Sequence, residues 1–209
     1  MLLDGDNVVS TRVHESSPAH GEVMLPLIGE LFAETAWART SLDRIAVGTG
    51  PGSFTGIRVG LALAKGIGLG LDRPVLGIGS LRAMCRGVPR NLPGTRCAVL
   101  DGRREELFVG LYGIDGAELE APRIISRSAA DPLAALAQSG GVLVGEVLEG
   151  LASLRAFRSE LTDLPHAIGV ALAGAESAEN AAPADPFYLR PVDAIPSGAG
   201  SPVSSKQAQ

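Results

Sequence analysis

Cysteine is almost missing from this 209-residue chain: Cys85 and Cys97 stand alone, with no Cys-x-x-Cys. That excludes a disulfide framework and a cysteine zinc site, and a cytoplasmic setting with reduced thiols is the simplest expectation. Histidine is also scarce. His14, His20 and His166 are the full set, and none is spaced as HxxxH or HExxH, so a zinc-hydrolase centre has no ligands to stand on. Basic charge does not dominate: 18 Lys and Arg against 23 Asp and Glu give a net charge of -5. A broad, sequence-independent grip on nucleic acid is therefore not expected, although local basic patches stay open. Apolar stretches are interrupted by Gly, Arg, Lys or Asp before the roughly 18 residues a membrane span needs, and Met1-Leu2-Leu3-Asp4-Gly5 does not read as a secretory leader, so none is expected. With 45% apolar and 20% charged residues, the chain has the composition of a folded protein with a sizeable core.

What it has in quantity is glycine, 27 residues, and their densest use is the run Val47-Gly48-Thr49-Gly50-Pro51-Gly52-Ser53-Phe54-Thr55-Gly56-Ile57-Arg58-Val59-Gly60. Ile45-Ala46-Val47 reads as the end of a buried strand, and glycines with Pro51 among them force a turn. Ser53 or Thr55 can then cap a helix from about Gly56 to Leu71. On that helix Gly56, Gly60, Ala64 and Gly68 recur at steps of four, as do Ala62, Gly66 and Gly70, which makes two smooth ridges. Each glycine costs roughly 1 kcal/mol of helix propensity, so close approach of a neighbour must offset it. One ridge suits the chain's own sheet; the second predicts another neighbour, such as a helix of another subunit.

The glycine turn is a candidate anion cradle at a helix start, with Gly50, Gly52, Ser53 and Thr55 as candidate phosphate contacts. It is not a Walker A loop, since no Gly-x-x-x-x-Gly-Lys-Ser/Thr aligns there, nor a dinucleotide fingerprint, nor a Gly-x-Ser-x-Gly elbow, because Pro51 and Thr55 flank Ser53.

Around this turn the order is readable. Leu2 to Val13 reads as a hairpin across Asp4-Gly5-Asp6-Asn7. Val23, Met24, Leu27, Ile28, Leu31 and Phe32 form the stripe of an amphipathic helix with Pro26 in it. Pro74 to Gly79 is a strand, so Ile45 to Gly79 forms a βαβ unit, and Ser80 caps a short helix to Arg86. Arg86 to Arg96 reads as a linker. Cys97 to Asp101 is an apolar strand ending in a carboxylate, followed by a meander through Leu107 to Tyr112 and Asp115-Gly116. Asp131-Pro132 would start a helix to Gln138, Gly141 to Gly145 is a further strand, Ala167 to Ala173 a short helix, and residues 196-209 a disordered tail.

The run from Gly48 to Gly60 resembles the signature of the bacterial TsaB (YeaZ) family, and Asp101-Gly102-Arg103-Arg104-Glu105-Glu106 and Tyr188-Leu189-Arg190 are similar to further segments of it. The resemblance implies an α/β, actin-like (ASKHA, ribonuclease H-like) two-lobed fold, here divided as an N-terminal lobe over 1-96 and a C-terminal lobe over 97-195. The family's first strand, with its Asp-Thr-Ser turn, has no counterpart, and a misplaced start site is the favoured expectation over natural truncation. Function follows the same resemblance: a non-catalytic subunit of the machinery that attaches threonylcarbamoyl to an anticodon-loop adenosine of tRNA. It would pair with the catalytic paralogue TsaD, with the ATPase TsaE joining, with ATP or ADP and magnesium used in the complex, and with tRNA met only through it. The pairing surface expected from the helices Val23 to Ala36 and Gly56 to Leu71 comprises His20, Leu27, Leu31, Gly56, Gly60, Ala64 and Gly68. Asp101 is the one candidate acid for magnesium, and a turn-stabilising carboxylate paired with Arg103 or Arg104 is the preferred reading. The alternatives are a nucleotide hydrolase or glycoprotease-type peptidase, and a homodimer formed by the ridged helices.

Overall fold

The computed structural model describes residues 1-14, 20-129, 133, 139-145, 156-157, 160-177 and 183-190. Strands β1 (Leu2–Asp4) and β2 (Asn7–Ser10) form the N-terminal hairpin, antiparallel with Asp4 opposite Asn7 across Gly5. Helix α1 (His20–Thr35) follows, and Leu31 and Phe32 close on Leu2 with Ile28, Trp37 and Leu42 around them. After a 3-10 turn at Arg39–Ser41 comes β3 (Ile45–Gly50), then α2 (Phe54–Leu71), then β4 (Val75–Gly79), which lies parallel to β3 with Ile45 opposite Val75. This is the expected βαβ unit. The helix begins two residues earlier than the spacing predicts, because Ser53 is the cap: its Oγ accepts the Gly56 N–H at 3.3 Å.

Strand β3 is covered on both faces. Val47 lies beneath α2, where a Cβ on Gly60 would meet its Cγ2 at 3.8 Å, and Ala46 lies beneath α5 (Ala167–Glu176), where a Cβ on Gly174 would come within 2.5 Å of its Cβ. That is the alternation a strand imposes. Among the described residues the hairpin β1–β2 and the pair β3–β4 are separate two-stranded sheets.

Helix α3 (Ser80–Arg86) joins this half to the larger sheet. Its Leu81, Met84 and Cys85 are buried against Ala98, Leu100, Tyr112, Val142 and Val144. The larger sheet has five strands, β5 (Arg96–Arg103), β6 (Glu106–Tyr112), β7 (Glu118–Ser126), β8 (Val142–Val144) and β9 (Ala156–Phe157), in the order β7-β6-β5-β8-β9. On β5, Ala98 and Leu100 face α3 while Cys97 and Val99 face Leu107, Val109, Leu133 and Leu143. The β5–β6–β7 meander, the strand near Gly141 to Gly145 and the helix from Ala167 all stand where the sequence places them. A short α4 (Glu160–Asp163) precedes α5, and His166 caps α5 by accepting the Ile168 N–H at its Nδ1, 3.2 Å away. The expected cap at Asp131-Pro132 and the tail over 196-209 lie outside the described residues.

One expectation about length needs correction. Helix α2, with 18 residues, is long and apolar enough to cross a membrane by length and composition. Its inner side chains Ile57 and Leu61 pack with Val47, Val75 and Ala184, so in this fold it serves as a covering helix for β3 and β4.

Candidate functional site

The glycine turn is built around one conformational need. Gly50 has φ of +108°, and a Cβ there would lie 2.5 Å from the Phe187 carbonyl oxygen and 2.8 Å from Ile57 Cδ1. Only glycine meets both conditions. The Phe187 N–H donates to the Thr49 carbonyl at 2.8 Å, so the segment Pro183–Arg190 seals this side of the turn. Of the four candidate phosphate contacts, Gly50 is thereby buried beneath the chain's own backbone, while Gly52, Ser53 and Thr55 stay exposed. Ser53 Oγ is already committed to the helix cap.

Beside the turn stands a cluster that sequence reasoning missed. The Arg58 guanidinium lies 3.9 Å over the Phe54 ring, its Nε donates to Tyr188 Oη at 3.1 Å, and the Phe54 and Tyr188 rings are 5.2 Å apart. Phe54 and Arg58 share a face of α2 at i, i+4, a visible signal; Tyr188 arrives from 130 residues away, which no local pattern announces.

The two ridges of α2 separate cleanly. A Cβ on Gly68 would lie 2.4 Å from Val75 Cγ2 and 2.9 Å from the Arg73 carbonyl oxygen, and Ala64 is 7% exposed. Gly60, Ala64 and Gly68 therefore turn toward the chain's own strands while Gly56 meets only its cap Ser53, and Ala64 and Gly68 are corrected from partner-facing to core-facing. The other ridge looks outward: a Cβ on Gly66 or Gly70 would meet nothing within 4 Å, Ala62 is exposed, and Leu69 beside them is 88% exposed. Helical geometry explains the division, since the two sets lie on opposite sides of one rod.

Helix α1 runs beside α2, where a Cβ on Gly21 would meet Val59 Cγ1 at 3.9 Å. Leu31 is 3% exposed in the core with Leu2, so it too is corrected from interface to interior. Leu27 is half-buried, His20 is the first residue of α1, and Leu25, absent from the expected surface, is 57% exposed.

Asp101 Oδ1 accepts the Arg103 N–H at 2.8 Å and Arg127 Nη2 at 3.1 Å. It is a turn-stabilising carboxylate, as preferred, but its charge partner is Arg127 rather than the side chain of Arg103 or Arg104. The hairpin it braces carries positive φ at Arg103, Arg104 and Glu105, 60°, 50° and 59°, unusual for residues with side chains. Gly50 is thus withdrawn from the four candidate phosphate contacts, and Asp101 Oδ1 is taken by Arg103 and Arg127. Among the described residues no group of three His, Cys, Asp or Glu could hold a metal ion. Burial pushes the Cys97 thiol up to about 12 and Cys85 higher still, so neither is a nucleophile near neutrality.

The profile of the family described as TsaD, tRNA N6-adenosine threonylcarbamoyltransferase, matches residues 8–174. A protein of Escherichia coli named tRNA threonylcarbamoyladenosine biosynthesis protein TsaB is 32% identical over 116 residues, 55% of this chain and 50% of that protein. The chain belongs to the TsaD family, in its TsaB (YeaZ) branch. An uncharacterized Mycobacterium tuberculosis protein is 33% identical over 189 residues, 90% of this chain and 83% of that one. The solved structure of YeaZ from Pseudomonas aeruginosa superposes with a TM-score of 0.62 at 26% identity, over 84% of this chain and 88% of that one. The architecture is accordingly the α/β, actin-like (ribonuclease H-like) fold of TsaB and TsaD, and the matched stretch of E. coli TsaB is about half its length.

Proposed function

We propose that this chain is a TsaB-type, non-catalytic subunit of the tRNA threonylcarbamoyladenosine machinery that pairs with a TsaD-type catalytic paralogue through the outer faces of α1 and α2. The observation that carries the pairing is the outward ridge of α2. Ala62, Gly66 and Gly70 leave a shallow track with Leu69 standing beside it, and Leu25 of neighbouring α1 adds a second exposed apolar side chain. Small residues permit close helix approach and an exposed leucine supplies apolar area, the combination a protein partner buries. Of the surface expected from sequence, His20 and Leu27 stay in this reading with Gly56 and Gly60 at its margin; Leu31, Ala64 and Gly68 act from beneath by holding the helices.

In this assignment the lobes are 1-96 and 97-195, the setting is cytoplasmic, a TsaE-type ATPase joins the pair, and tRNA is met through the complex. Any ATP or ADP and magnesium are held mainly by the partner subunits, with Gly52 and Thr55, exposed on the turn, the residues placed to touch a phosphate. Co-purification with the TsaD-type paralogue tests the pairing. Gly66→Leu and Leu69→Glu should abolish it while leaving the circular-dichroism spectrum and melting cooperativity intact. Unchanged association in both variants refutes the assignment of this face, and a homodimer that persists by light scattering in the presence of the paralogue refutes the heterodimer.

A further inference from the structure

The eight residues Pro183–Arg190 lie across the glycine turn and touch both halves of the molecule. Pro183 bridges Leu76 of β4, and Ala184 is buried against Ile57 and Leu61. Asp185 Oδ1 accepts Lys65 Nζ at 3.0 Å, Phe187 N–H donates to Thr49, and Tyr188 Oη accepts Arg58 Nε. Arg190 then crosses to the β5–β6 hairpin, donating to the Gly102 carbonyl at 3.1 Å and pairing with Glu106.

The receiving surface is shaped for this segment. A Cβ on Gly77 would lie 2.5 Å from the Pro183 carbonyl oxygen and 3.1 Å from Ala184 Cα, as a Cβ on Gly50 would strike Phe187. Two glycines, one in a strand and one in the turn, thus lack side chains where another backbone runs. The grip is nevertheless made mostly at the surface: Ala184 is buried, but Pro183, Asp185, Pro186 and Phe187 are exposed. Segments held in this way open at a lower free energy than the core sheets beneath them.

We propose that Pro183–Arg190 is a detachable latch that holds the glycine turn and the first two turns of α2 in their docking pose, with Arg58, Tyr188 and Arg190 as its positioning residues. Its second half rests on the pairing proposed above: because the latch fixes the helix that meets the paralogue, latch seating and partner binding favour each other, and the coupling must run both ways.

Hydrogen exchange on the full-length chain, alone and with the TsaD-type paralogue, tests this. Losing the Arg190 pair removes charge-assisted hydrogen bonds, so Arg190→Ala should speed exchange by about tenfold or more at the amides of Phe187, Gly56 and Ile57, which donate to Thr49 O, Ser53 Oγ and Ser53 O. The same change should weaken partner binding by a similar factor, with Arg190→Lys recovering part of both. Tyr188→Phe, which keeps the ring but loses the bond from Arg58, should act in the same direction by less. The paralogue should in turn slow exchange at Phe187 in the unaltered chain. Unchanged exchange across the turn in Arg190→Ala and Tyr188→Phe overturns the latch. A loosened turn with unaltered partner affinity overturns the coupling. If the unaltered chain does not bind the paralogue, the pairing and its coupling fall, while the exchange rates of the free chain still decide the latch.

Discussion

Two glycines on one helix, Gly66 and Gly68, should respond in opposite ways to the same small change. At Gly66 a Cβ meets nothing within 4 Å, so Gly66→Ala gains helix propensity without cost, roughly 1 kcal/mol. For a chain of this size that is a rise in Tm of about 2 to 4 °C. At Gly68 the same gain is opposed, because the new methyl would lie 2.4 Å from Val75 Cγ2 and 2.9 Å from the Arg73 carbonyl oxygen. The Val75 side chain can rotate away, but the carbonyl belongs to backbone just after the helix, and Gly68 O itself accepts the Arg73 N–H at 2.9 Å. Overpacking of this kind costs about 1 to 3 kcal/mol, which cancels or outweighs the propensity gain at Gly68, so Gly68→Ala should fall below Gly66→Ala by that overpacking cost of about 1 to 3 kcal/mol. Urea unfolding followed by circular dichroism measures the difference as a shift in midpoint at constant slope. Equal shifts for the two variants, or a loss at Gly66, would refute the assignment of inner and outer ridges.

Asp72 closes α2 in the left-handed region with φ of 53°, so Asp72→Gly should stabilise by about 0.5 to 1 kcal/mol in the same assay. Removing the cap in Ser53→Ala should cost about 1 kcal/mol, with the loss read at the first turn of α2 by amide exchange. Asp101→Ala loses both an ion pair that is half exposed on both sides and the Arg103 N–H hydrogen bond that braces the hairpin, and should cost about 1 to 2 kcal/mol of unfolding free energy. For the thiols, the folded values lie above the unfolded one, so their contribution is complete below about pH 8.5 and declines as pH rises toward the folded values, because the unfolded chain releases those protons first. A disulfide reagent at pH 8 should accordingly find no reactive thiol in the folded chain and two in denaturant.

Much of this was legible in the residues themselves, and the reasons differ by element. The turn and α2 are local: glycines with Pro51 break the strand, Ser53 caps, and the four-residue spacing declares two faces. Which face turns inward is not local, since Ala64 and Gly66 are equally small, and only the positions of Val47, Val75 and Arg73 decide it. Leu27 and Leu31 fit one helical stripe, yet Leu31 reaches Leu2 in the core whereas Leu27 is only half covered. The family motifs at Gly48 to Gly60 and Tyr188 to Arg190 could be recognised separately, but that the second lies on the first is a long-range contact that neither stretch encodes alone. Asp101 shows the same limit on a smaller scale: its partner, Arg127, comes from the 3-10 turn after β7 rather than from the adjacent arginines.

The division of the N-terminal half into two narrow sheets has a mechanical consequence. A ribbon of two short strands has little cohesion of its own, and here each ribbon depends on helices laid over it. Amides of Leu3 and Val8 should therefore be among the first to exchange as the molecule breathes, and those of Val99 and Val109, shielded by the broad C-terminal sheet, among the last. Heat or denaturant should fray this protein from its beginning toward its middle, leaving the five-stranded layer as the last structure to dissolve.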